Sequence, residues 1–166
     1  MDPTVSIWIV KGLLILALIY LAYIDWRTFR LPNTITLPMI FLGLAFNAAS
    51  EIRFTSLNSA LLGACLGFTS LWFLNTGYHL LKSRNGIGMG DAKLLAALGA
   101  WLGWSALPSI LLIASLTGLL GGIIWLKWRH FQLQQAFTFG PFLVIAGIIE
   151  LLWPQLIPTL ILPRLI

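Results

Sequence analysis

A chain of 166 residues that is 59% hydrophobic and 9% charged, with a mean hydropathy of +0.94, lies outside the range of soluble domains. It is expected to be an integral membrane protein, and an ordinary soluble globular domain is excluded. The net charge of +5 does not indicate nucleic acid, because the basic residues fall in short groups between apolar runs instead of along one stripe.

About 20 apolar residues are needed for a helix to cross the hydrocarbon core, and six candidates follow one another. The first runs from about Val5 to Ile24, with Lys11 near its outer end. Its start, Met1-Asp2-Pro3-Thr4, lacks a basic n-region and no small-residue cleavage site stands out, so this segment is expected to be retained. The second covers Pro32 to Ala49 and is entered through Asn33 and Thr34, both good N-cap types. The third spans Leu57 to Leu81 and contains the single cysteine, Cys65, which can form neither an intrachain disulfide nor a Cys-cluster metal site. The fourth runs from Ala92 to Leu107, the fifth from Ser109 to Trp128. The sixth extends from Gly140-Pro141 to about Ile161, with Pro154 as a kink or end. No stretch is left for a soluble domain, so residues 1–166 read as one all-α polytopic domain.

The basic residues set an expected orientation. Arg27, Arg30, Lys82, Arg84, Lys93, Lys127 and Arg129 flank one set of connections; Lys11, Arg53 and Arg164 flank the other. The positive-inside rule then places both termini outside and the 1–2, 3–4 and 5–6 connections in the cytoplasm. The fourth segment, 16 residues or roughly 24 Å at 1.5 Å per residue, is short for a core of about 30 Å. Its entry is therefore expected to lie near the interface.

Two of the five acidic residues abut apolar segments on that same side: Asp25, in Tyr23-Ile24-Asp25-Trp26, and Asp91, after Gly86-Ile87-Gly88-Met89-Gly90. A carboxylate at membrane depth is costly and so a functional candidate. Two that meet can share a proton and do acid/base chemistry. Each has a plainer reading. Asp91 suits an N-cap for the fourth helix, although a cap does not need three alternating glycines, which suggest close backbone approach. Asp25 would face the negative end of its helix dipole, and an ion pair with Arg27 or Arg30 could offset that. The Gly-x-Gly run is a weak nucleotide-loop match, since no strand precedes it. His79 and His130 have no ligand partners at suitable spacing, and read as interfacial residues.

Gly88-Met89-Gly90-Asp91 resembles the GxGD class of intramembrane aspartyl proteases, and its continuation Ala92-Lys93-Leu94-Leu95-Ala96-Ala97-Leu98-Gly99-Ala100-Trp101-Leu102-Gly103 resembles bacterial type IV prepilin peptidases. Two more elements agree in order: Asp25-Trp26-Arg27-Thr28-Phe29-Arg30-Leu31-Pro32-Asn33 and Phe139-Gly140-Pro141-Phe142-Leu143. The resemblance implies an inner-membrane enzyme that cuts the leader of a prepilin or pseudopilin, at the cytoplasmic edge of the bilayer, on the amino side of the substrate's hydrophobic helix. Asp25 and Asp91 would be the catalytic pair, with Gly88 and Gly90 shaping the backbone. Arg27, Arg30, Asn33 and Lys93 are candidate substrate-positioning residues. Longer members carry paired Cys-x-x-Cys motifs linked to methylation of the product; the first aspartate here is at position 25. The peptidase core alone is therefore expected, without methyltransferase activity, metal or other cofactor.

Two other classes compete. A non-enzymatic assembly subunit of a pilus or secretion system would tolerate loss of an aspartate, and both are present. A small proton-coupled transporter would place its charges near the midplane and commonly shows inverted repeats; none is visible.

Overall fold

The computed structural model describes residues 3–49, 51–82, 88–128 and 139–154. Among them are six α-helices and no strand: α1 (Pro3–Thr28), α2 (Asn33–Ala49), α3 (Leu57–Lys82), α4 (Met89–Leu102), α5 (Leu107–Trp128) and α6 (Gly140–Leu152). A single 3-10 turn, Trp104–Ala106, joins α4 to α5. By length and composition, three helical stretches can cross a membrane: Thr4–Thr28, Leu57–Leu80 and Trp104–Ile124. α2 and α6 are shorter apolar helices. This is an all-α membrane protein.

Helices 1, 2, 3 and 5 fall close to the expected segments; the fourth does not. α4 starts at Met89, before Asp91, and stops at Leu102 instead of Leu107. It stops there because Gly103 takes φ +86, which is open to glycine but strained for other residues. The Gly103 N–H donates back to the Gly99 carbonyl at 2.8 Å. At 14 residues, α4 rises only about 21 Å. α6 ends at Leu152, two residues before Pro154. Residues 155–161 of the expected sixth segment, together with Arg84, Gly86, Arg129, His130 and Arg164, lie outside the described residues.

α4 is the hub. Every residue from Leu94 to Trp101 is buried, with α3, α2 and α6 packed around it. α6 in turn touches α1 and α5. The outer helices each bury one stripe at helical spacing: Leu14, Leu18, Leu21 and Asp25 on α1; Thr36, Met39, Gly43 and Asn47 on α2; Ala60, Gly63, Gly67 and Leu71 on α3. Their opposite faces carry exposed Leu13, Leu16, Tyr20, Phe41 and Leu62, as lipid-facing positions do.

Small residues bring α3 onto α4. Gly63 and Gly67 form a Gly-x-x-x-Gly pair, a spacing that lets membrane helices approach closely. A Cβ on Gly63 would overlap the Gly99 carbonyl, and one on Gly67 would come within 2.7 Å of the Leu95 carbonyl oxygen. Toward its C-terminal end, α4 is pinned by Asn47 of α2. The Asn47 amide nitrogen donates to the carbonyls of Ala100 (2.9 Å) and Trp101 (3.1 Å), and its oxygen accepts from the Phe54 and Thr55 N–H groups at 3.0 and 3.1 Å. One buried amide thus satisfies otherwise open groups of α4 and of the 2–3 connection. Beside it, the Trp101 indole N–H donates to the Met39 carbonyl at 2.9 Å, and its ring lies over Gly43 and stacks on Phe46.

Candidate active site

Asp25 continues the buried stripe of α1, four residues after Leu21, so its carboxyl group faces inward and is only 5% exposed. α1 runs a further turn past it, to Thr28. Asp91 is the third residue of α4 and is 7% exposed. The helix N-cap is Gly88, with no side-chain cap bond, so the capping reading of Asp91 fails. Its N–H donates to the Gly88 carbonyl at 3.1 Å.

The two carboxyl groups converge at Gly140, the first residue of α6. A Cβ built on Gly140 would overlap Asp25 Oδ2, lie 3.0 Å from Asp25 Cγ and lie 3.3 Å from Asp91 Oδ1. The Asp25 carboxyl carbon and that Asp91 oxygen are therefore no more than about 6.3 Å apart. Asp25 Oδ2 is buried and accepts no hydrogen bond from any described residue. A buried acceptor left open in this way calls for a functional explanation. The amino ends of α4 and α6 both lie at the pair, and their partial positive charge offsets part of the cost of burying carboxylates.

The ion-pair reading of Asp25 also fails. Arg27 and Arg30 are exposed while Asp25 is buried, and the Arg27 guanidinium lies over the Tyr23 ring, 5.4 Å from its centroid. Lys93 and Asn33 do meet: Lys93 Nζ donates to Asn33 Oδ1 at 2.6 Å. His79 is exposed on α3. A third carboxylate, Glu150, is 4% exposed, but it stands ten residues along α6 from Gly140, about 15 Å away along the axis, and so is not part of this site.

The motif glycines separate. A Cβ on Gly90 would come within 2.9 Å of the Leu31 Cβ, so this glycine admits the chain that follows α1. Gly88 has ordinary extended torsions (φ −67°, ψ 137°), and a Cβ there would make only a 3.5 Å contact with Asp91 Oδ2. Gly90 thus makes room for Leu31, and Gly140 leaves room for the two carboxyl groups. Sequence reading passed over Gly140 as a site residue, although the Phe-Gly-Pro-Phe element that contains it was visible.

A buried pair of carboxyl groups within reach of one another can move protons, one acting as base while the other donates. Residues 12–126 match the type IV leader peptidase family. The chain belongs to that family. A relative from Dickeya chrysanthemi, named prepilin leader peptidase/N-methyltransferase, is 49% identical over 127 residues, which is 76% of this chain and 44% of the relative. Proteins of the same name from Pectobacterium carotovorum and Neisseria gonorrhoeae are 43% identical over 148 residues (88% and 51% of the two chains) and 49% identical over 144 residues (84% and 48%). The chain spans about half the length of these leader peptidase relatives. No solved structure matches it.

Proposed function

We propose that this protein is an aspartic endopeptidase that removes the leader from prepilin-like precursors, with Asp25 and Asp91 as its catalytic pair. The observation that carries the reading is the convergence of two buried carboxyl groups, from α1 and α4, against the bare backbone of Gly140. Membership of the leader peptidase family supplies the substrate class, a prepilin or pseudopilin whose hydrophobic helix lies in the bilayer. The pair lies at the end of the bundle that carries Arg27, Arg30 and Lys93, and the positive-inside rule assigns that end to the cytoplasm of a bacterial inner membrane.

Two carboxyl groups sharing one site do not both ionise cheaply, so the pair holds one proton between them. The ionised member takes a proton from water as the water attacks the scissile carbonyl. The protonated member polarises that carbonyl and then donates to the leaving amine. The pair titrates as a unit, so base and acid are roles of the pair and not of either residue alone.

The test is cleavage of purified prepilins by the purified protein, followed by mass measurement of the products. Asp25→Asn and Asp91→Asn are each expected to lower kcat at least about 10³-fold while the protein inserts and unfolds as the parent does. Full activity of either variant would end the proposal. The product masses also report the cut site and any added methyl group.

A further inference from the structure

α1 and α4 carry the two aspartates, yet they barely touch along their lengths; α1 packs chiefly on α6. α6, which packs on both, is one link between Asp25 and Asp91; the chain that follows Asp25 is a second. The short segment after Asp25 is held at three points. Phe29 takes φ +55, and its N–H donates to the Asp25 carbonyl at 2.8 Å. A left-handed torsion on a residue with a large side chain persists only where its surroundings impose it. Thr28 Oγ1 braces the same turn, lying 2.9 Å from the Ile24 carbonyl oxygen and 3.0 Å from that of Arg30.

The chain then returns to α4. Leu31 is buried and seats against Gly90, where a Cβ would leave only 2.9 Å to the Leu31 Cβ. Asn33, the first residue of α2, turns its side-chain oxygen to the Lys93 ammonium at 2.6 Å. Gly90 and Lys93 bracket Asp91 in the first turn of α4. The segment that leaves Asp25 is therefore tied to the two sides of Asp91.

We propose that Asn33 and Lys93 are positioning residues, a clasp that holds the end of α1 in register with the first turn of α4 and so holds Asp25 against Asp91. The inference rests on the proposed aspartate pair. The clasp is a different role for Lys93 from meeting substrate charge: it engages the Lys93 ammonium within the protein. The hydrogen bond is charge-assisted but exposed, so its contribution is to register and not to overall stability. Loss of either partner lets the two carboxyl groups drift, and a misplacement of about 1 Å is enough to cost roughly 100-fold in rate.

The test measures kcat and KM on a prepilin for the full chain in detergent micelles. Asn33→Ala and Lys93→Met are each expected to lower kcat by about 10- to 100-fold with KM nearly unchanged. The double variant should lose no more than either single, since both remove one interaction. Asn33→Asp keeps an acceptor for the ammonium and should restore most of kcat. A raised KM with unchanged kcat in Lys93→Met, or full activity in Asn33→Ala, would overturn the clasp, because Lys93 would then act on substrate directly. A second measurement does not need catalysis. Cysteines placed by Asp25→Cys and Asp91→Cys, with Cys65→Ser, are joined by a short bifunctional thiol reagent, and the joining should slow markedly when Asn33→Ala is added. An unchanged rate would refute the clasp whatever the activity data say. Failure of the parent protein to cut prepilins would instead count against the catalytic assignment, leaving the cross-linking result to judge the clasp.

Discussion

Replacing Gly140 by alanine is the sharpest perturbation of the proposed pair, because it adds a single methyl group where both carboxyl groups converge. That Cβ would overlap Asp25 Oδ2 and lie 3.0 Å from Asp25 Cγ, against an ordinary contact range of 3.4–4 Å. Gly140 is the first residue of α6, where alanine gains less than the about 1 kcal/mol over glycine of a helix interior. Crowding costs about 1–3 kcal/mol when a packed core must adjust, so a modest loss of stability is expected. Activity should not be spared. The carboxylate must swing away by roughly 1 Å, a misplacement on the scale that costs about 100-fold in rate. The assay is steady-state cleavage of a purified prepilin, paired with thermal unfolding in the same detergent. Gly88→Ala is the comparison, since its Cβ would make only a 3.5 Å contact with Asp91 Oδ2, and it should keep most of the activity. Equal activity of Gly140→Ala and the parent would refute the geometry on which the pair rests.

Asn47→Leu should lower stability by about 2–4 kcal/mol, because it removes both donors to the Ala100 and Trp101 carbonyls and leaves the Phe54 and Thr55 N–H groups open; a fall in thermal midpoint with a normally positioned cut site would show it. Gly63→Ala should be poorly tolerated, since its Cβ would overlap the Gly99 carbonyl, with a cost of at least about 1–3 kcal/mol. Gly77→Ala on the same helix meets nothing within 4 Å and should unfold like the parent. The pH profile of kcat/KM should be bell-shaped: acid protonates the base member of the pair, and alkali removes the proton from the acid member. A rate that rises to a plateau with pH would argue against a shared proton.

Much of this molecule is legible in one dimension. The apolar composition and the absence of any soluble stretch decide the class, and the six helical segments follow from the successive apolar runs. Asp25 and Asp91 stand out because charged residues are costly at that depth, and that cost does not depend on knowing the fold. The inward face of each helix is another matter. Lipid is as apolar as the protein interior, so lipid-facing and buried leucines cannot be told apart by hydrophobicity, and Leu14 reads like Leu13. A steric signal was present and went unread: Gly63 and Gly67 mark the α3 face that meets Gly99 and Leu95, because only small residues let backbones come that close.

Tertiary structure decided the rest. It ended α4 at Leu102, where Gly103 turns to φ +86; the apolar run continues past that point. It moved Asp91 inside the helix, where it is not a cap, and took Arg27 and Arg30 away from Asp25. It gave the four hydrogen bonds of Asn47 to partners as many as 54 positions distant. The pair depends on residues 25, 91 and 140, which meet because α6 packs on both α1 and α4. Residue type alone determined that two carboxylates had to be explained; only helix packing decided that they face one another, and that Gly140 is the space in which they do.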